Sequence, residues 1–210
     1  MNYEPWLSIA IVVKNDVGGF SRTWQSLERQ DLTGVQVIVV DSSSDSSEIP
    51  QVLNEILVLA DVNYLWTDPH GIFSAMNTAL SLAAGSYLYY LNAGDEFYGS
   101  DTVITACDLL TSNKPKWAFG AVEIVEKSGS TVITPHWDYA TEKRALFGRG
   151  KFPSHQGTFV RTELLRQIGG FDVAYRVSAD YTAFLRLSQV SDPLILDLVV
   201  ARFHEGGTST

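Results

Sequence analysis

A single cysteine in 210 residues, Cys107, excludes an internal disulfide framework and any cysteine-built metal cluster, and it fits a reducing compartment. Cys107 falls inside an apolar helical pattern and is expected in the core. Basic residues are scarce as well: 15 Lys and Arg against 24 Asp and Glu give a net charge of −9. That balance argues against a nucleic-acid partner and leaves no polybasic segment for anionic lipid. The chain has no apolar run long enough to span a bilayer, and its opening, MNYEPWLSIAIVVKND, has no basic region ahead of its apolar stretch. Neither a signal peptide nor a transmembrane anchor is expected, and a cytoplasmic protein is. Two phosphate signatures are also missing. There is no G-x-x-x-x-G-K-[ST], and Gly18-Gly19 is followed by Phe20, Ser21 and Arg22 rather than completing a G-x-G-x-x-G. A P-loop kinase and a dinucleotide dehydrogenase both lose ground. With no repeat, low-complexity tract or linker, residues 1–210 read as one domain.

What is present is an alternation of buried strands and helices. Leu7 to Val13 and Val35 to Val40 are continuous, β-branched apolar runs of the kind that lie in a sheet covered on both sides. Helices are expected through Trp24 and Leu27, from Ile49 to Leu59 and from Gly71 to Ala84, with a short strand around Leu65 and another over Tyr87 to Leu91. This order predicts an α/β fold with a mainly parallel central sheet and helices on both faces. Beyond Asp95 the pattern predicts a helix over 101–110, a hairpin of Trp117 to Val125 with Thr131 to Thr134, a strand over Gln156 to Val160, and helices over 163–168 and 179–189. Residues 135–153 are aromatic, basic and irregular, which suits a functional loop. Trp6, Trp24, Trp66 and Trp117 are expected in the core, and His70 and His136 in solvent.

Acids stand where strands or helices start and stop: Asp41 and Asp45, Asp68, Asp95 and Asp180. The fourth strand ends in Asn92-Ala93-Gly94-Asp95, at the carboxyl edge where open α/β sheets bind ligands. A carboxylate there can hold a divalent cation against a diphosphate, or it can cap the next helix or close a turn with Gly94. If these acids cluster, one could accept from a base or ribose, one could bind metal, and one could act as a general base.

Seven segments in order then resemble the family 2 glycosyltransferases of GT-A fold, including those that build colanic acid, related exopolysaccharides or lipopolysaccharide. They are Leu7 to Val13, Val37 to Asp45 (VIVVDSSSD), Gly71 to Asn77 (GIFSAMN), Leu91 to Asp95 (LNAGD), Ser154-His155-Gln156, Val177 to Tyr181 (VSADY) and Gly206 to Thr210 (GGTST). The resemblance implies a nucleotide-binding half over about residues 1–98 and an acceptor-binding half over about 99–210. It also implies an inverting sugar transfer from a nucleotide-sugar (a UDP- or GDP-sugar) to a saccharide or lipid-linked acceptor in cell-surface polysaccharide biosynthesis. On that likeness Asp41 would recognise the base with the backbone near Val13, and Asp68, Gly71, Asn77, Asn92, Ala93 and Gly94 would complete the donor site. Asp95 would hold Mg²⁺ or Mn²⁺, with His204 a further candidate ligand, and Asp180 would be the general base. His155, Gln156 and Trp137 would meet the acceptor, Trp137 by stacking on a sugar. Asn92-Ala93-Gly94 stands where many members carry Asp-x-Asp, leaving Asp95 as the one carboxylate before Glu96, and Met76 stands where many place a phosphate-binding arginine. A nucleotidyltransferase, or a nucleotide- or carbohydrate-binding module without catalysis, is the alternative. The expected location is the cytoplasm, with peripheral association at the inner face of the membrane left open.

Overall fold

The computed structural model describes residues 4–46, 48–56, 62–134, 139, 142–143, 152–175 and 177–206. Strand β1 (Leu7–Val13) is buried at every position. Its side chains alternate between two cores, Leu7, Ile9, Ile11 and Val13 on one face and Ala10 and Val12 on the other. That division is why the run is apolar on both faces, Ser8 apart, rather than at every second residue. Helix α1 (Val17–Glu28) follows, capped by Asp16, whose Oδ1 accepts from the Gly19 N–H at 2.8 Å. Then come β2 (Val35–Asp41), α2 (Glu48–Ile56), β3 (Val62–Trp66), α3 (Ile72–Leu82) and β4 (Tyr87–Tyr90). The second half adds β5 (Glu96–Phe97), α4 (Thr102–Asn113), β6 (Trp117–Val125), β7 (Thr131–Ile133), a 3₁₀ turn at His155–Gly157, β8 (Thr158–Arg161), α5 (Thr162–Gln167), α6 (Ala179–Val190) and β9 (Leu194–His204).

The nine strands among the described residues join one sheet in the order β3-β2-β1-β4-β8-β6-β9-β5, with β7 on β6. The four amino-terminal strands are parallel, and β8 enters antiparallel to both β4 and β6. Strand β6 then runs parallel to β9, and β5 lies antiparallel on β9. Phe20, Trp24, Leu27, Ile49, Leu53, Val103 and Leu110 of α1, α2 and α4 cover one face. Met76, Leu80, Leu164, Phe184 and Leu187 of α3, α5 and α6 cover the other. The α/β architecture with helices on both faces is thus what the chain adopts.

Four expectations change. The strand expected from Gln156 begins at Thr158, because His155–Gly157 coils into the 3₁₀ turn. That turn sits tightly on the sheet: a Cβ on Gly157 would stand 2.6 Å from the Gly120 carbonyl oxygen of β6. Strands β5 and β9 are additions. Cys107 is half-buried on α4 rather than part of the core. Trp24 and Trp117 are core residues as expected, whereas Trp66 is 40% exposed at the end of the edge strand β3.

Candidate active site

Chain direction places the ends of β1, β2, β3 and β4 along one edge. Val13, Asp41 and Trp66 stand in one row by strand register, and the Ala93 N–H donates to Val12 O at 3.1 Å, which brings the end of β4 to the same level. The Asn92–Asp95 segment closes as a turn, with Asp95 N–H donating to Asn92 O at 3.0 Å. Gly94 has φ +100°, a backbone that side chains disfavour. Thr23 of α1 pins the turn from beneath: its buried hydroxyl donates to Asp95 O at 2.7 Å and accepts from Gly94 N–H at 2.9 Å.

Beside this turn lies a cleft of about 420 Å³ whose wall includes Asp16, Arg22, Asn92, Asp95, His155 and His204. Ile72, Ala93, Gly94, Gln156, Phe203, Glu205 and Gly206 also line it. Of the expected residues, Asn92, Ala93, Gly94, Asp95, His155, Gln156 and His204 therefore meet in one place. Asp180 joins them through His155, whose Nδ1 is 3.6 Å from Asp180 Oδ2. On its other side the His155 Nε2 faces Asn92 Nδ2 at 3.0 Å. An amide nitrogen donates, so Nε2 accepts and the ring N–H on Nδ1 is directed toward the Asp180 carboxylate. The buried Asn92 Oδ1 has no partner among the described residues. Turning the amide would give that oxygen to an Nε2–H, so Asn92 can serve His155 neutral or protonated.

Electrostatics separates the two acids. Asp95 is only 4% exposed, and burial pushes its carboxyl up to about 7 against the opposing influence of His155 and a hydrogen bond from Gln156. Ser154 holds the Gln156 Oε1 from behind, and Tyr89 donates to the Gln156 carbonyl at 2.6 Å, so the amide that meets Asp95 is fixed. Asp180 also feels burial, but the His155 ring and the Tyr181 N–H, 2.8 Å from Oδ1, outweigh it and hold the carboxyl below the usual range. Asp180 is thus a carboxylate at neutral pH, in the first turn of α6, where the helix dipole favours the charge.

A divalent cation fits this arrangement in one way. Among the described residues no group of three His, Cys, Asp or Glu side chains could hold a metal. A cation on Asp95 would therefore take its remaining oxygens from water and a ligand's phosphates, the usual habit of Mg²⁺. His204 lines the same cleft, but its Nε2 is engaged by Glu96 Oε1 at 2.7 Å, which leaves Nδ1 alone for a ligand.

Other expected residues lie elsewhere. Asp41 is fully buried, with Oδ1 accepting from Ser43 N–H at 2.8 Å and Oδ2 accepting from the Tyr64 hydroxyl at 2.9 Å. Burial and this bond to Asp41 raise the Tyr64 pKa, keeping the phenol a donor. Val13 contributes its carbonyl to Ser42 N–H at 2.9 Å. Asp68 is exposed in the β3–α3 connection, and Gly71 caps α3 with φ +95° beside the cleft residue Ile72. Asn77, expected at the donor, is a correction: its Nδ2 donates to Phe171 O at 2.7 Å and its Oδ1 accepts from Phe171 N–H at 2.9 Å. Both ends of the amide are spent on holding the segment before α6 against α3. Asn77→Ala is expected to cost roughly 2–4 kcal/mol, because two backbone groups of the buried Phe171 lose their partner. Urea unfolding would register that loss, and nucleotide affinity at low denaturant should not change. Trp137, His136 and the Gly207–Thr210 end of the last motif lie outside the described residues.

Arg22, Asp16 and Thr23 were not anticipated. Arg22 is exposed, lines the cleft and reaches the Gly94 carbonyl at 3.4 Å, which puts a cationic side chain on the cleft wall. The available signal was the helix start after Asn15-Asp16, which turns the first face of α1 toward the sheet edge.

The chain resembles known proteins along most of its length. An uncharacterized glycosyltransferase of Mycobacterium tuberculosis is 27% identical over 215 residues, covering 100% of this chain and 79% of that one. A PGL/p-HBAD biosynthesis glycosyltransferase of Mycobacterium bovis is 28% identical over 211 residues, covering 97% and 78%. Among solved structures, Staphylococcus aureus TarS 1-349 in complex with UDP-GlcNAc superposes with a TM-score of 0.77 at 17% identity, over 95% of this chain and 58% of that one. The mannosyltransferase PcManGT of Pyrobaculum calidifontis, in complex with GDP-Man and Mn²⁺, gives 0.68 at 21%, over 95% and 57%. The chain thus spans somewhat over half the length of these structures, and the likeness to them is one of fold, GT-A. The profile described as Glycosyl transferase family 2 matches residues 8–181, and with that match across most of its length the chain belongs to this family of glycosyltransferases.

Proposed function

We propose that this chain transfers a sugar from a UDP- or GDP-sugar to a hydroxyl of a saccharide or lipid-linked acceptor, with inversion at the anomeric carbon, in the assembly of a cell-surface glycan. The observation that carries the reading is the pairing of two differently tuned carboxylates about one cleft, Asp95 buried at the turn after β4 and Asp180 ionised beyond His155. That division suits a leaving diphosphate on one side and an acceptor proton on the other. Structures of this fold hold UDP-GlcNAc and GDP-Man, which supports the donor class, and a sequence relative is named a PGL/p-HBAD biosynthesis glycosyltransferase.

Asp95 would hold Mg²⁺ or Mn²⁺; when bound, the cation supplies positive charge to the departing diphosphate, so the leaving group needs no proton. Arg22, across the same cleft, adds a second positive charge to the phosphates. The acceptor oxygen attacks the anomeric carbon as the bond to the phosphate oxygen breaks, and its proton passes to Asp180. His155 positions that carboxylate and Gln156 fixes the neighbouring one. A lipid-linked acceptor would bring the enzyme to the inner face of a membrane. No helix among the described residues is long and apolar enough to cross one.

Thermal unfolding with UDP, GDP and CMP, each with and without Mn²⁺, tests the donor class. One nucleoside diphosphate should raise the transition temperature, and only with Mn²⁺ present. No shift with any of them removes the donor reading. A shift without release of that diphosphate from its sugar nucleotide, with acceptor or without, favours the non-catalytic binding module.

A further inference from the structure

The cleft beside Asp95 ends short of β2 and β3, and the acid expected to read the base there, Asp41, reaches no solvent. Recognition at that end of the edge must fall to groups that are exposed. Trp66 is the large aromatic among them in the described residues: it is 40% exposed, it stands directly opposite Asp41 in register, and its indole Nε1–H donates to Ser43 O at 3.0 Å. The loops it adjoins are tied together. Asn15 N–H donates to Ser43 Oγ at 2.8 Å and Ser44 N–H donates to Asn15 Oδ1 at 2.8 Å, so the turns after β1 and β2 form one shelf with the indole at its margin. We infer that the exposed face of Trp66 is the stacking platform for the donor's nucleobase, and that Asp41 serves it from beneath by fixing Ser43 and Tyr64.

Dimensions support this. Strands β4 and β3 are three steps apart in the sheet, and at about 4.8 Å per step Trp66, at the margin of the shelf, lies roughly 14 Å from the turn that carries Asp95. An extended nucleoside diphosphate with its phosphates at that turn carries its base to the far end of the same row. The Trp66 ring is already held by the bond to Ser43, so little ordering entropy opposes stacking. Stacking tolerates any base, so Trp66 supplies affinity while the tied loops supply the choice among bases.

This inference rests on the donor reading above, and the experiment separates the two. Binding of UDP and GDP in Mn²⁺ is compared with binding of inorganic pyrophosphate in Mn²⁺, for wild type, Trp66→Ala and Trp66→Phe. Trp66→Ala should weaken the nucleotide that wild type prefers by roughly 5- to 100-fold and leave pyrophosphate unchanged. Trp66→Phe, which keeps a ring but loses the bond to Ser43, should retain most of the affinity. Equal loss of pyrophosphate binding, or a Phe variant as weak as the Ala variant, overturns the stacking role in favour of a loop-holding one. Unchanged nucleotide binding in Trp66→Ala overturns the inference alone, whereas wild type that binds neither nucleotide overturns the donor reading and the inference with it.

Discussion

Asp180→Asn is expected to lower turnover by roughly 10²–10⁴-fold and to leave nucleotide affinity and stability nearly unchanged. The amide keeps an oxygen for the Tyr181 N–H at 2.8 Å, so the first turn of α6 retains that contact. What it loses is the capacity to accept a proton. Because His155 and the Tyr181 N–H hold this carboxyl below the usual range in spite of its burial, its protonation should produce no loss of rate near neutral pH. Single-turnover transfer, measured with saturating donor and compared with binding of the free nucleoside diphosphate, separates the two effects. Near-normal transfer by the variant would reduce Asp180 to a helix-start residue and move the search for a base to His155, which already faces the cleft.

The part of the fold that the sequence disclosed is the part whose burial is symmetric. Strands β1, β2, β4 and β6 are largely buried on both faces, so they read as apolar runs with few breaks (Ser8, Gln36, Gly120 and Glu123), and Trp117–Val125 was bounded as observed. Strand β9 was open to the same reading, since Leu194 to Ala201 is apolar apart from Asp197, but the polar residues that follow, Arg202 and His204, obscured its length. Two-residue β5 has no pattern to find. It exists because Glu96 and Phe97 pair with Arg202 and Ala201 across more than a hundred residues of chain.

The site divides along the same line. The turn Asn92–Asp95 was legible because a strand end and a glycine define it locally, whereas the motifs named His155 and Gln156 for the acceptor without placing them beside Asp95. What could not be read were side chains whose partners come from far along the chain. The amide of Asn77 is spent on Phe171, 94 positions away, and the carboxylate of Asp41 is sealed by Tyr64, 23 positions away. Nothing in the local composition of either segment distinguishes a polar group facing a ligand from one facing a distant backbone. Trp66 erred in the opposite direction: an aromatic residue in an apolar strand reads as core, and only the position of β3 at the sheet edge exposes it.

Asp95→Asn is expected to make the cation-free protein more stable at pH 8 while abolishing its response to Mn²⁺. Burial raises the Asp95 pKa from 3.8 to about 7 in the folded chain, whereas the unfolded chain keeps the ordinary value. Between these values the folded state holds a proton that the unfolded state has released, so stability falls as pH rises from about 4 to about 7 and stays reduced above that. The full penalty is on the order of 4 kcal/mol, and a neutral amide avoids it. Urea unfolding in EDTA should therefore show the variant ahead of wild type at pH 8 and level with it near pH 3, where both side chains are uncharged in the folded and largely so in the unfolded state. A divalent cation repays the same penalty from the other direction, so Mn²⁺ should stabilise wild type strongly at pH 8, and its apparent affinity should drop about tenfold per pH unit below 7 as protons compete for the carboxylate. The acid limb of transfer would then belong to Asp95 and move to lower pH with added Mn²⁺, in contrast to the silent Asp180. A variant no more stable than wild type at pH 8 in EDTA would mean that the Asp95 carboxylate ionises in the folded chain without cost, and that the cation is drawn to the cleft by some other group.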